Sequence, residues 1–144
     1  MQELDAEILA RGVGVEAIID MVKSYEDPDD FHDAVEDATA IAREVFEEVD
    51  EALSQKLSEL MRDGPESELT LTANAQPANM ANAIATQRVL AKEFGIELAN
   101  HAACVAGHSL GEYTALCAAG AFSLTDTAKL LRLRGIAMQD AVPI

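Results

Sequence analysis

The sequence predicts an α/β protein that is rich in helices and contains few strands. Apolar residues make up 49% of the 144 residues, but aromatic residues only 4%, so the core must be built from Ala, Leu, Val and Ile. Most of the chain shows apolar residues at intervals of three and four, the period of an amphipathic helix. One unbroken apolar run, Ala102–Ala106, is typical of a buried strand in a parallel sheet.

Residues 1–36 are predicted to form an acidic helical segment of two short helices, ended by the acidic turn around Asp27-Pro28-Asp29-Asp30. The net charge of −16 comes from the N-terminal half, since residues 1–68 hold 21 acidic and 5 basic side chains and residues 69–144 hold 5 of each. This charge argues against nucleic acid or an anionic membrane as a partner. No apolar run approaches the roughly 20 residues of a membrane span, and the acidic start excludes a secretory signal. We therefore expect a soluble, cytoplasmic protein.

A longer helix follows, with apolar residues at helical spacing between Val35 and Ala52. This pattern could form a coiled-coil seam, but fewer than three heptads with many alanines favours a helix that faces the core. Asp63-Gly64-Pro65 closes this part of the chain, and Leu69–Thr72 is a short stretch capable of forming a strand.

The second half of the chain predicts three further helices around the apolar strand. The first begins at Pro77, because the missing N–H of proline needs no partner at a first helical position, and it ends at Gly95. The second follows Gly107 and ends at Gly120. The third opens near Ser123, whose hydroxyl can cap it, and continues towards Met138.

The candidate catalytic residue lies in the pentapeptide Gly107-His108-Ser109-Leu110-Gly111. G-x-S-x-G between a buried strand and a helix is the nucleophile-elbow arrangement, in which a tight turn points the serine hydroxyl outward. The flanking glycines leave no side chains to collide with the backbone of that turn. The helix N-terminus offers N–H groups to a developing oxyanion, and the N–H of Leu110 is the first donor expected. The alternative is a tight Gly-Ser turn that carries no chemistry.

A longer string of residues resembles one enzyme family. GHSLGEYTAL, from Gly107 to Leu116, is followed by AAGAFSL and RLRGIAMQ, and TANAQPA and REVFEEVDEAL precede it. These motifs, in this order, resemble the acyltransferase family of malonyl-CoA:acyl-carrier-protein transacylases over about residues 40–144. The resemblance implies an incomplete large subdomain with a hydrolase-like parallel sheet core. It also implies a division into residues 1–36, which show no resemblance, and residues 37–144, the N-terminal part of an acyltransferase domain.

The resemblance implies a mechanism and assigns residues to it. Ser109 would take a malonyl group from malonyl-CoA, and the phosphopantetheine thiol of acyl carrier protein would then remove it. Arg134, 25 positions after the serine, would bind the malonyl carboxylate through its planar fork. Arg132 lies about 200° away around the helix, so only one of the two can face the serine, and Arg132 is expected to be a solvated charge. No metal and no cofactor are expected, since malonyl-CoA is a substrate.

Three features of the family are missing from this sequence. The family begins with a strand and a loop rich in Gly and Gln, and residues 1–36 contain neither. Its catalytic histidine and its second subdomain lie downstream of the arginine helix. His108 precedes the serine and is expected to be structural, and no histidine follows it. We therefore expect a truncated acyltransferase that is weakly active or inactive alone, because a serine without a base is a weak nucleophile.

The sequence is also compatible with two other functions. The lost base and the uneven charge are compatible with a non-catalytic remnant that binds a protein partner. G-H-S-L-G also occurs in serine esterases of the α/β-hydrolase class, which need an acid and a histidine after the serine. An esterase would leave Arg134 and the TANAQPA segment unexplained.

Overall fold

The computed structural model describes residues 28–142, which form seven helices and no strand. The helices are α1 (Pro28–Leu53), α2 (Leu57–Asp63), α3 (Glu66–Leu69), α4 (Thr72–Phe94), α5 (Leu98–His101), α6 (Leu110–Ala118) and α7 (Leu124–Ala141). The chain divides after Asp37, and the unit Ala38–Ile144 carries every motif of the acyltransferase resemblance. The two helices predicted before residue 28 lie outside the described residues, and the domain boundary at residue 37 stays a prediction.

Helix α1 faces the core, as predicted. Val45 and Val49, one turn apart, are 0% and 1% exposed, and they belong to the main apolar cluster. The predicted acidic turn at residues 27–30 is wrong from residue 28 onwards, because the helix already begins at Pro28. A proline suits this first position, since its N–H would have had no partner inside the helix.

The side chain of Asp50 joins α1 to α2. The Asp50 carboxylate is buried and accepts hydrogen bonds from the backbone N–H of Ser58 at 2.9 Å and from its hydroxyl at 2.6 Å. A carboxylate at a helix N-terminus satisfies an N–H that has no acceptor within its own helix. Asp50 therefore fixes the turn that leads from α1 into α2.

The start of α4 differs from the prediction. The stretch Leu69–Thr72 is not a strand, because α3 ends at Leu69 and α4 begins at Thr72. Pro77 is accordingly inside α4, where its side chain is fully buried. The helix can begin early because its first N–H groups find acceptors. Ala73 N–H donates to the side-chain oxygen of Gln139 at 2.8 Å, and the next two N–H groups donate to the Leu71 carbonyl.

Helices α4 and α7 cross at very short distance. A Cβ atom added to Gly135 would lie 2.5 Å from the Cα of Ala73 and 2.7 Å from the carbonyl oxygen of Thr72. Only glycine permits this approach, which places the residues around Gly135 beside the first turn of α4. Buried apolar side chains of α1, α2, α4 and α7 form one cluster: Val45, Val49, Leu57, Leu60, Ala78, Met80, Ala81, Ile84, Ala85, Leu124, Ala128 and Leu131.

The strand predicted at Ala102–Ala106 is not formed. Within residues 28–142 this segment pairs with no other strand, and all five residues are exposed. A strand satisfies its backbone groups through neighbouring strands, and the helices described here offer none. Cys104 is therefore exposed, whereas Cys117 on α6 is half-buried and burial raises the pKa of its thiol.

Two of the predicted helix boundaries are confirmed. Gly95 has φ 64° and ends α4 in the left-handed conformation. Ser123 caps α7, since its hydroxyl oxygen accepts a hydrogen bond from the Asp126 N–H at 3.0 Å. Among the described helices, none combines the length and the apolarity that crossing a bilayer requires.

The crossing at Gly135 gives a test of the fold. We expect Gly135→Ala to lower the free energy of unfolding by about 1–3 kcal/mol, because the added Cβ must push α4 and α7 apart. Gly111→Ala is the matched control, since a Cβ at this helical glycine meets nothing within 4 Å, and alanine is favoured over glycine in a helix by about 1 kcal/mol. Urea unfolding of the two variants measures the difference, and equal stability would contradict the close crossing.

Candidate active site

Ser109 lies in a strained turn at the start of α6. Its backbone angles are φ 58° and ψ −115°, a conformation that residues other than glycine rarely adopt. Such a conformation costs about 1–3 kcal/mol and persists only where the surrounding structure imposes it. The Ser109 carbonyl accepts a hydrogen bond from the N–H of Glu112, and the His108 carbonyl accepts one from the N–H of Gly111. The side chain of Ser109 is exposed, at the surface of the turn.

The two glycines of the pentapeptide differ in what they contribute. A Cβ on Gly107 would lie 2.0 Å from both the carbonyl carbon and the carbonyl oxygen of Gly111, so residue 107 must lack a side chain. A Cβ on Gly111 would meet nothing within 4 Å. The expectation that both glycines clear the turn therefore holds for Gly107 only. The backbone at 107 packs directly on the first turn of α6, and this contact shapes the bend that carries the serine.

The predicted oxyanion donor is Leu110, the first residue of α6. Among the described residues, no acceptor is hydrogen-bonded to its N–H. The N-terminal N–H groups of a helix carry a partial positive charge, which suits a developing oxyanion. His108 is exposed and shows no hydrogen bond to the Ser109 hydroxyl.

The structure brings Arg134 of α7 to Ser109. The Nη2 of Arg134 donates a hydrogen bond of 2.9 Å to the Ser109 Oγ, across 25 positions of sequence. The guanidinium carbon lies 5.9 Å from the ring centroid of Tyr113, on the next turn of α6, within the range of a cation–π contact. A hydroxyl at a helix N-terminus thus stands next to a cation with a planar fork of donors.

Gln76 holds the other side of the guanidinium, and sequence reasoning did not identify this residue. The Nη1 of Arg134 donates to the Gln76 Oε1 at 2.6 Å. Gln76 is only 3% exposed, on the first turns of α4. The sequence signal available for Gln76 was an amide directly before a proline in the TANAQPA segment, which also contains the buried amide of Asn74.

Arg132 lies in different surroundings. Its Nη1 donates to the Asn74 Oδ1 at 2.6 Å, and its Nη2 donates to the Gln55 Oε1. Burial of the guanidinium lowers the pKa of Arg132. The expectation of a solvated charge is therefore wrong for Arg132, because the α4–α7 crossing turns its side chain towards the α1–α2 turn. Ser109 is hydrogen-bonded to Arg134 and not to Arg132.

The arrangement can support acyl transfer to serine but does not itself supply a base. Within residues 37–142, no histidine or carboxylate is hydrogen-bonded to the Ser109 Oγ, and its partner is a cation. The hydroxyl therefore keeps the reactivity of an ordinary alcohol. In the same part of the chain, no three His, Cys, Asp or Glu side chains are grouped as a metal site would require.

Comparison with known proteins places this chain in a family. Residues 35–143 match the model of the acyl transferase domain family. The malonyl CoA-acyl carrier protein transacylase of Bacillus subtilis strain 168 is 49% identical over 102 residues, which are 71% of this chain and 31% of that protein.

Solved structures agree with the sequence comparison. An acyl-carrier-protein-S-malonyltransferase from Bartonella henselae superposes with a TM-score of 0.69 and is 62% identical, over 72% of this chain and 32% of that one. A malonyl-transacylase in complex with its type II PKS acyl-carrier protein superposes with a TM-score of 0.60 at 37% identity, over 74% and 34% of the two chains. The helix-rich fold described above is thus similar to part of these solved structures. The chain spans about a third of the length of these relatives.

The strain at Ser109 gives a test of the turn. We expect Ser109→Gly to be more stable than Ser109→Ala by about 1 kcal/mol, because glycine adopts a positive φ without a steric penalty and alanine does not. Both variants lose the hydroxyl and its bond to Arg134, so each is the control of the other. Thermal or urea unfolding measures the difference, and an alanine variant at least as stable as the glycine variant would show that the turn is unstrained.

Proposed function

The chain belongs to the acyl transferase domain family, and from this membership we propose that it forms the nucleophile-bearing part of a malonyl-CoA:acyl-carrier-protein transacylase. The observation that carries the proposal is the 2.9 Å hydrogen bond between Arg134 and Ser109. It pairs the residue that would accept an acyl group with a cation that would select acyl groups ending in a carboxylate.

The first half-reaction transfers malonyl to the serine. The Ser109 Oγ attacks the thioester carbonyl, the C–S bond breaks, and the serine proton leaves with the coenzyme A thiol. The carbonyl oxygen carries negative charge in the tetrahedral intermediate, and the N–H of Leu110, which has no acceptor among the described residues, would donate to it. The product is a malonyl ester of Ser109.

Arg134 would discriminate among acyl groups. A guanidinium can bind a carboxylate through two parallel hydrogen bonds, which fixes orientation as well as charge. Because Arg134 already contacts the Ser109 Oγ, a group that joins the serine at one end and reaches the guanidinium with the other must be short. The three-carbon chain of a malonyl group meets this requirement.

The second half-reaction would pass the acyl group to acyl carrier protein. The phosphopantetheine thiol attacks the malonyl-serine ester, forms a new thioester and returns the proton to the serine. The related malonyl-transacylase in complex with its acyl-carrier protein supports this partner. Lys129 is an exposed cation on α7, five residues before Arg134, and is a candidate contact for an acidic carrier protein. A cytoplasmic location is part of the same proposal.

The same proposal includes a parallel sheet, in which the segment after Ala102 would be a strand. Ala102 has the extended angles φ −120° and ψ 133°, and an apolar groove of about 450 Å³ lies between α4, the segment Val105–Gly107 and α6. Both features suit a segment that becomes a strand when other strands of an acyltransferase domain lie beside it.

A second candidate is a non-catalytic protein-binding role for this chain. The observation that favours it is the absence of a base at the Ser109 hydroxyl among the described residues. A test of the transferase function therefore also distinguishes it from the binding role.

Incubation with malonyl-CoA provides that test. We expect slow, stoichiometric malonylation of the chain, located at Ser109 by intact-mass and peptide mass spectrometry, because the proposed nucleophile and oxyanion donor have no base beside them among the described residues. Ser109→Ala is the control and should stay unlabelled. A chain that remains unmodified over hours favours the binding role, and labelling that survives in the alanine variant contradicts the proposed nucleophile.

Substitution of Arg134 tests selectivity. We expect Arg134→Ala to lower malonyl loading on the order of a hundredfold, the loss that follows when a carboxylate loses a charged hydrogen-bond partner. Arg134→Lys should recover only part of this loss, since an ammonium lacks the planar fork. Lys129→Gln, which removes an exposed charge of the same helix, should leave loading from malonyl-CoA unchanged. Initial loading rates measure all three, and equal losses at 129 and 134 would indicate a nonspecific charge effect.

A further inference from the structure

A buried glutamine amide holds the candidate substrate-binding arginine in place. Gln76 is 3% exposed and has a hydrogen-bond partner for each side of its amide. Its Oε1 accepts from the Arg134 Nη1 at 2.6 Å, while its Nε2 donates to the Thr72 Oγ1 at 2.8 Å and approaches the Met138 Sδ at 3.4 Å. With its donors satisfied by Thr72 and Met138, the amide presents its carbonyl oxygen to the guanidinium.

The Gln76 amide is uncharged, and this matters for the binding of a carboxylate at the site. A carboxylate at position 76 would hold the guanidinium equally well, but it would neutralise the charge that a substrate carboxylate needs. A neutral amide oxygen fixes the arginine rotamer and leaves the positive charge available. Fixing a long side chain before the ligand arrives also removes an entropy cost from the binding step.

We propose that Gln76, oriented by Thr72, is a positioning residue that gives the site its preference for acyl groups ending in a carboxylate. Gln76 does not touch the acyl group in this arrangement. It acts through Arg134, whose two terminal nitrogens are divided between the Gln76 amide and the Ser109 hydroxyl. This inference rests on the proposed function, since it assigns the origin of selectivity at the same site.

The experiment compares the affinities of malonyl-CoA and acetyl-CoA for the full chain by isothermal titration calorimetry. All proteins carry Ser109→Ala, so that no acyl transfer accompanies binding. The ratio of the two dissociation constants isolates the carboxylate, because the coenzyme A part is common to both ligands. Gln76→Glu and Gln76→Met are the two main variants, and Gln87→Glu and Gln87→Met, at a half-buried glutamine farther along α4, are the matched controls.

We expect the parent chain to prefer malonyl-CoA on the order of tenfold or more, as a charged hydrogen bond to a carboxylate implies. Gln76→Met, which has similar length but no acceptor, should lose about tenfold of that preference. Gln76→Glu should lose at least as much, although it keeps the shape and an acceptor, because it neutralises Arg134. The Gln87 variants should retain the parent ratio. A purely structural role for Gln76 would leave the ratio intact in the near-isosteric glutamate variant.

Substitution of Thr72 provides a second and less disruptive test if a Gln76 variant does not fold, as judged by circular dichroism. Thr72→Val removes the hydroxyl that orients the amide and should lower the preference several-fold, while Thr72→Ser should restore it. A parent chain that binds both ligands equally overturns the proposed function and this inference together. A parent chain with the preference, whose Gln76→Glu and Thr72→Val variants keep it, overturns this inference alone.

Discussion

The close crossing of α4 and α7 at Gly135 determines the surroundings of the two arginines of α7. Since Gly135 has no side chain, α7 lies against the first turn of α4, where Ala73 donates its N–H to Gln139. This contact fixes both the rotation and the height of α7. Arg134 then meets the Gln76 amide and the serine, so a steric requirement at one glycine sets the position of a charge at its neighbour.

The same crossing separates two arginines that the sequence places side by side. Arg132 and Arg134 differ by about 200° around α7, and their guanidinium groups donate to different amide oxygens of the first turns of α4, those of Asn74 and Gln76. Arg132 ties α7 to Asn74 and to the α1–α2 turn, whereas Arg134 reaches the serine. One helix therefore contributes a structural cation and a candidate substrate-binding cation two positions apart.

The sequence predicts those features whose causes lie close together in the chain. The Ser123 cap, the Gly95 terminator and the turn around Ser109 each depend on neighbours within a few residues. The start of α4 was mispredicted because one of its caps, Gln139, is 66 positions away. The prediction of a strand at 102–106 is wrong because a strand needs neighbouring strands, and the described helices offer none. The contacts of Arg132 and Gln76 follow from a helix crossing, which the periodicity of apolar residues does not reveal.

The strained backbone of Ser109 makes this turn sensitive to partial unfolding. Its positive φ is imposed by the packing of Gly107 on the first turn of α6, and an unrestrained serine would relax to a negative φ. Relaxation would swing the hydroxyl away from the guanidinium while every helix stayed intact. The geometry of the Ser109 turn is therefore more fragile than the secondary structure around it, so mild heat or denaturant should disorganise this bend in the chain before helical content declines.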